Sequence, residues 1–282
     1  MTMKRFTKTA PELLAQIHAA VKFIKKQGTV KPEVFLILGT GLGQLCEKIK
    51  PVWKLDYGTI PYFPRATAES HKGRLIYGTL AGKRVLAMEG RFHCYEGYSM
   101  PEVVFPVRVA GELGAKKMLV TNAAGGLNLT YRKGDLVLIE DHINFMGTSP
   151  LAGPNDSRIG LRFPDMSAPY SARLAQAALE ASRRTKVSLR QGVYVGVLGP
   201  NLETRAEYRM MRNWGADLVG MSTVPEVIAA VHQGMEVLGL SVVTDVCDPD
   251  HLAPVDIKEI IHTANQAGPR LDKLVEAVIA KI

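Results

Sequence analysis

Apolar positions recur along this chain with two alternating periods. In residues 11–27, Leu13, Ile17, Ala20, Val21 and Ile24 fall three or four apart and Gly28 follows, so the stretch predicts an amphipathic helix with a stop. Residues 33–38 (EVFLIL) form a short apolar run ending in a glycine-rich turn, the pattern of a buried strand. Residues 74–80 and 83–88 predict a hairpin around Ala81-Gly82. Ser99-Met100-Pro101-Glu102 has the form of a capping box with proline in the first turn, so a helix is expected from there to about Gly114. Further strands are expected at 117–121, 135–139, 192–198, 217–220 and 237–244, and further helices at 171–184, 203–213, 225–234 and from 255 to the end. Residues 147–169, rich in Gly, Pro, Ser and Asp, read as a long ordered loop or lid. Strands alternating with helices predict an α/β sheet covered on both faces. No linker, low-complexity tract or fixed-period repeat divides the chain, so a single domain over 1–282 is expected.

Composition narrows the class. Of the 282 residues, 46% are hydrophobic and 22% charged, the balance of a soluble globular protein. No uninterrupted apolar stretch reaches the roughly 18 residues that a membrane span requires, and residues 1–14 lack the apolar run of a secretory signal. Cys46, Cys94 and Cys247 are far apart and form no CxxC pair, which argues against a zinc site or disulfide framework. A cytoplasmic location and no metal are therefore expected. The net charge of +8 raises nucleic acid as a partner, but the basic residues form no single stripe; the clusters at 22–26 and 183–186 sit on expected helix faces and read as solvated surface.

Four polar or glycine-rich blocks mostly follow apolar strands, where ligands of α/β sheets bind. In Gly39-Thr40-Gly41-Leu42-Gly43, glycines let backbone N–H groups approach an anion and Thr40 adds a hydroxyl; a plain tight turn fits as well. The block lacks the Gly-Lys-Ser/Thr of a Walker loop, and Gln44 stands where a dinucleotide fingerprint needs its third glycine. Gly90-Arg91-Phe92-His93-Cys94-Tyr95-Glu96-Gly97 offers a guanidinium fork suited to phosphate and an imidazole that Glu96 could orient; otherwise it is a mixed-charge surface loop. Thr121-Asn122-Ala123-Ala124-Gly125-Gly126 would let a flat ligand lie on backbone, or is a strand-to-helix turn. Gly220-Met221-Ser222-Thr223-Val224-Pro225-Glu226 reads as a helix N-terminus, a ready phosphate site or simply a cap. Glu203 and Asp245, each after an expected strand, are acidic residues that would usually be solvated.

Taken together and in this order, GRFHCYEGYS, TNAAGGLN, DHINFMG and VGMSTVPEV resemble the trimeric purine nucleoside phosphorylase family, whose relatives include the methylthioadenosine phosphorylases. The resemblance runs from about Ala20 to the C-terminal helix. It implies one α/β domain with a mixed central sheet and a distorted barrel flanked by helices, assembled as a homotrimer. It further implies reversible phosphorolysis of purine nucleosides, mainly inosine and guanosine, in purine salvage, with inorganic phosphate as co-substrate and no other cofactor. Phosphate would be held by Thr40, Arg91, Phe92, His93, the backbone of Ala123, Ser222 and a mobile His71. Tyr95, Met221 and Ile257, with Phe163 from a neighbouring subunit, would pack on the ribose. Ala123, Ala124, Leu202, Glu203, Val219 and Asp245 would surround the purine, and His93, Glu203 and Asp245 are the expected catalytic residues.

Two positions depart from the nucleoside phosphorylase pattern, which usually has asparagine at Asp245 and histidine near Ile257. Both changes lean towards the methylthioadenosine branch, whereas Glu203 leans towards 6-oxopurines. An ionised Asp245 would repel a 6-oxo group. Holding it protonated at neutral pH requires a rise of roughly 3 pH units from about 3.9, worth about 4 kcal/mol. Burial and a second carboxylate both act in that direction, so Glu203 and Asp245 are expected to share one proton. A binding module that has lost catalysis is the main non-enzymatic alternative, and retention of Arg91, His93 and both acids argues against it.

Overall fold

The computed structural model describes residues 10–39, 43–67 and 72–282, so Thr40 and His71 lie outside the described residues. In chain order the elements are α1 (Ala10–Lys25), β1 (Val34–Leu38), α2 (Leu45–Lys48), β2 (Lys50–Asp56), β3 (Arg74–Leu80), β4 (Lys83–Glu89), α3 (Met100–Val103) and α4 (Phe105–Glu112). They continue with β5 (Lys117–Gly126), β6 (Leu136–Asn144), α5 (Ala172–Thr185), β7 (Arg190–Gly196), α6 (Arg205–Asn213), β8 (Leu218–Gly220), α7 (Val224–His232), β9 (Glu236–Val246) and α8 (Ile257–Ile279). The strands form one sheet in the order β2-β3-β4-β1-β5-β8-β7-β6-β9, and β5 also pairs with β9. That extra pairing closes β5, β8, β7, β6 and β9 into a mixed barrel, from which β1 to β4 extend as a wing.

Strand β1 shows how the sheet divides the core. It runs parallel to both β4 and β5, and all five of its residues are buried. Phe35 and Ile37 point into one apolar cluster with Ile17 and Ile24 of α1, Val107 of α4 and Val227 of α7. Val34, Leu36 and Leu38 point into the other, with Leu174 of α5 and Leu271 and Leu274 of α8. The period of two thus feeds both helix layers, as in any parallel strand covered on both faces. Truncating Leu36 or Ile37 to alanine would cost about 2–5 kcal/mol through lost burial and a residual cavity.

The sequence pattern and the structure diverge where small or polar residues hide a strand or a break. The 122–126 block is not a turn: β5 continues through it, paired with β9 to Gly126↔Val246 across a register shift between Ala124 and Gly125. β6 likewise runs on to Asn144, because parallel pairing to β7 extends to Asn144↔Gly196. The expected helix from 99 to 114 splits at Val104. Pro106 sits in the first turn of α4, where its missing N–H is tolerated, whereas one helix running through it would lose a hydrogen bond. Strand β2 escapes the pattern altogether: it is an edge strand, mostly exposed, that starts Lys50-Pro51. The hairpin of β3 and β4 turns on Ala81 and Gly82, both with positive φ as a two-residue primed turn requires.

Candidate active site

Strand β5 creates the opening. Val120 is its last residue paired to β1, and Gly125 is its first paired to β8. The edge between them faces a cavity of about 450 Å³ at the carboxyl ends of β1, β4, β5, β8 and β9. Gly39 must be glycine there, because a Cβ would lie 2.8 Å from the Thr121 carbonyl oxygen. Gly125 is fixed similarly, with Cys247 Sγ 2.6 Å from where its Cβ would stand. The small residues of this block thus make room for other groups of the site.

One end of the cavity is built around a buried cation. Arg91 follows β4 and is 1% exposed. Its Nη1 donates to Ser222 Oγ (2.6 Å) and Thr223 Oγ1 (3.2 Å), and its Nη2 donates to the Thr121 carbonyl (2.7 Å). Glu226 Oε1 lies 3.4 Å from Arg91 Nε. The other Glu226 oxygen accepts the Thr223 N–H at 2.5 Å, closing the cap of α7. Thr223 holds φ +69°, a conformation costing a β-branched residue about 1–3 kcal/mol. Its surroundings impose it: Thr223 Oγ1 also accepts from Asn122 Nδ2 (2.9 Å), whose Oδ1 accepts from Ser241 Oγ (2.7 Å). Strands β5 and β9 and the start of α7 therefore fix Arg91 and Ser222 as one unit.

His93 lies beside this unit. Its backbone N–H and its Nδ1 both meet Glu96 Oε1, at 2.9 and 2.8 Å. Glu96 also accepts from the Thr67 backbone N–H at 3.0 Å and from the Thr67 hydroxyl. Burial pushes the Glu96 carboxyl up, but the hydrogen bonds from His93 and Thr67 outweigh it and hold it at about 2. The carboxylate thus pins the imidazole through Nδ1. The Tyr95 ring stacks on the imidazole at 4.6 Å and 14°, and burial together with the Glu96 charge raises its phenol to about 12.

The opposite end carries the two acids. Glu203 precedes α6, which Thr204 and Glu207 cap reciprocally. Burial raises the Glu203 carboxyl, and the nearby Asp245 charge adds to this. Asp245 Oδ1 lies 3.0 Å from Thr244 Oγ1, and its Oδ2 lies 3.3 Å from Cys247 Sγ. Ile257, Ile260 and Ile261, from the first turns of α8, give this end an apolar wall.

The cavity brings together Arg91, His93, Tyr95, Ala123, Ala124, Leu202, Glu203, Val219, Met221, Ser222, Asp245 and Ile257, all expected from sequence. Phe92 does not join them. Its ring is buried in the core against Tyr57 and Tyr98, so the expectation of a phosphate contact does not extend to that side chain. Phe163 is 85% exposed and lines a second, shallower hollow with His142, Asn144 and Met166. Sequence reasoning missed Tyr208, Thr244, Cys247, Ile260 and Ile261, and gave Asn122 no role of its own. The two isoleucines carried a signal, being three and four residues past Ile257 on a helix. Tyr208 carried none, since it reads as part of the buried face of α6.

Residues 33–280 match the model of the phosphorylase superfamily. The chain is 48% identical over 263 residues to purine nucleoside phosphorylase 1 of Geobacillus stearothermophilus, covering 93% of this chain and 96% of that protein. It is 44% identical over 272 residues to the mouse (Mus musculus) purine nucleoside phosphorylase, covering 94% of each. The chain belongs to the purine nucleoside phosphorylase family.

The fold agrees in detail with solved members of that family. The crystal structure of isoform 2 of the Schistosoma mansoni purine nucleoside phosphorylase, in complex with cytosine and ribose-1-phosphate, superposes with a TM-score of 0.92 at 36% identity. The match covers 98% of this chain and 99% of that one. The family's mixed sheet, barrel and flanking helices are those found here. Among the described residues, no helix is long and apolar enough to cross a membrane.

Proposed function

We propose that this phosphorylase splits purine (deoxy)ribonucleosides with inorganic phosphate, giving free purine and (deoxy)ribose 1-phosphate. The observation that carries the reading is the cavity itself: a fixed buried cation at one end and two carboxyl groups at the other, inside one fold. A phosphate oxygen attacks the anomeric carbon while the bond from that carbon to the purine nitrogen breaks. The electron pair of that bond leaves on the base. Arg91, His93, Ser222 and the Ala123 backbone would hold the phosphate, with Thr40 and His71 completing the set. Tyr95 and Met221 would pack on the ribose. Ala123, Ala124, Leu202 and Val219 would flank the purine, and Glu203 and Asp245 would hydrogen-bond its edge. Preorganised donors act where charge develops, and losing one typically costs about 3–4 kcal/mol of transition-state stabilisation. Inorganic phosphate is the only co-substrate this chemistry needs.

Glu203 favours 6-oxopurines: as a carboxylate it accepts the N1–H of hypoxanthine or guanine. With a proton on Glu203, which burial favours, Asp245 accepts from a 6-amino group instead. The apolar wall of Ile257, Ile260 and Ile261 supports a second reading, in which adenosine bearing a 5′-methylthio group is accepted. Comparing kcat/KM for inosine, guanosine, adenosine and methylthioadenosine separates the two. A tenfold or larger lead for methylthioadenosine, equivalent to about 1.4 kcal/mol, overturns the first reading.

A homotrimer belongs to the same proposal. Leu161 and Phe163 stand in solvent, with the Arg162 guanidinium 5.5 Å from the Phe163 ring centroid. An aromatic left so exposed gains from being covered, and a neighbouring subunit's site would cover it. The three free cysteines suit a reducing, cytoplasmic compartment.

A further inference from the structure

The end of α7 opposite Arg91 carries a second buried cation. Arg108 of α4 is 3% exposed, and its Nη1 donates to the Ala229 carbonyl (3.2 Å) near the end of α7 and to His232 Nδ1 (2.7 Å). A guanidinium can only donate, so Nδ1 is the accepting nitrogen and the ring proton sits on Nε2. Nε2 lies 3.1 Å from Asn155 Oδ1 and donates to it. Asn155 Nδ2 then donates to the Gly160 carbonyl at 3.0 Å. The result is one relay in which each proton has a fixed direction, from Arg108 through His232 and Asn155 to the backbone of the 147–169 loop. Burial first and the Arg108 charge next push the imidazole down to about 4, so His232 stays neutral at neutral pH and keeps its accepting nitrogen.

The relay seats the loop on the helix. A Cβ on Gly160 would collide with the His232 carbonyl oxygen, so only glycine lets the two backbones approach this closely. Leu151, Ile159 and Met166 pack on the apolar cluster that holds Val227 and Ile228 of α7. Arg162 Nη1 donates to the Leu151 carbonyl at 3.1 Å and ties the two limbs of the loop together. Phe163 follows, three residues past Gly160, with its ring in solvent. Among the described residues, the cavity takes none of its lining from 147–169. The seat therefore shapes a surface outside this chain's own cavity.

We propose that His232 and Asn155 are positioning residues for a neighbouring subunit's reaction, holding the loop so that Phe163 meets the neighbour's ribose in one fixed orientation. The inference rests on the reading of Phe163 as a wall of a neighbouring ribose site. Helix α7 then serves two sites. Its start fixes Arg91 and Ser222 in its own cavity through Thr223 and Glu226. Its last residue, about 12 Å away at 1.5 Å per residue, sets the loop for the neighbour's cavity. A ring packed on the ribose touches substrate and transition state alike, so disturbing it raises the nucleoside KM and leaves kcat little changed. A loop released from its seat must be ordered each time substrate binds, which weakens binding in the same way.

The relay is best cut from the loop side, because His232→Leu would strand Arg108 in the core without its acceptor. Asn155→Ala is expected to raise the KM for inosine at least about threefold, the scale of one lost hydrogen bond, with kcat and the KM for phosphate little changed. Phe163→Ala is expected to raise the inosine KM by at least as much. In the double variant the Asn155 change adds nothing further, because the ring it positions is gone. KM does not depend on the fraction of enzyme that folds, so a loss of stability alone moves none of these values. A rise below about threefold for Asn155→Ala, a fall in kcat in its place, a matching rise in phosphate KM, or effects that multiply in the double variant overturn the proposal. An inosine KM unmoved by Phe163→Ala defeats the reading of Phe163 as a ribose wall, and the inference with it, while leaving phosphorolysis standing.

Discussion

The two ends of the cavity are built on opposite principles. At the anion end, Arg91, Ser222, Thr223, Asn122, Ser241 and Glu226 form a closed network, anchored on strands β5 and β9 and the first turn of α7. Its donors and acceptors are committed, and it even sustains a positive φ at Thr223. At the purine end the polar groups sit on a loop before α6, on α6 itself and at the end of β9, and the Thr244 hydroxyl stands between two acceptors, the Ala124 carbonyl and Asp245 Oδ1. A phosphate ion is invariant, so a rigid site serves it. Purines differ in the direction of their hydrogen bonds at position 6, so the end of the cavity that carries Glu203 and Asp245 is where selectivity between them would be set.

The largest expected effect tests the rigid end. Arg91→Ala removes the buried cation and leaves Glu226 without its partner, so kcat/KM should fall about 10²–10³-fold or more for every nucleoside alike. Steady-state kinetics with inosine and adenosine check this; a loss confined to one base would dissolve the distinction between the ends. Glu203→Gln comes next. It should lower inosine kcat/KM by roughly ten- to a hundredfold because a neutral amide oxygen replaces the charged acceptor of N1–H, with the KM for phosphate little changed. A large rise in phosphate KM would show that the ends are not separable.

Smaller effects probe the proton itself. Asp245→Asn fixes a neutral donor at that position, so any adenosine activity should drop about tenfold while inosine is spared. Unchanged selectivity would rule out a shared proton. The pH dependence follows from Glu203, which burial first and the Asp245 charge next raise above the usual carboxylate range. A raised carboxyl takes up its proton earlier as pH falls. Inosine kcat/KM should therefore decline at a higher pH than an ordinary carboxyl would give, and adenosine kcat/KM should decline less. Parallel profiles for the two substrates would count against this assignment.

The same contrast explains how much of the site could be read from the chain. The anion end is local in sequence: Arg91 and His93 share one block, Ser222 to Glu226 another, and their chemistry is visible in the residue types. The purine end is assembled by closure of the barrel. Tyr208 is spaced like a core residue on α6, and Cys247 is a lone cysteine until β9 carries it beside Gly125 and Asp245. Nothing in the spacing says that Tyr208 and Cys247 line one cavity. The fold divides in the same way. Elements with a clean apolar period, such as α1 and β1, were legible. The run of small residues in β5 read as a turn, because its side chains are small to accommodate neighbours from β8 and β9. The edge strand β2 had no buried face to advertise it.

The most direct test of the central claim is to incubate the pure chain with inosine, with and without inorganic phosphate, and to follow hypoxanthine and ribose 1-phosphate together. Phosphorolysis at this cavity gives the two products in equal amounts, only when phosphate is present, and Arg91→Ala abolishes both. Hypoxanthine released without phosphate, with free ribose as the second product, would contradict the account, as would the absence of any release.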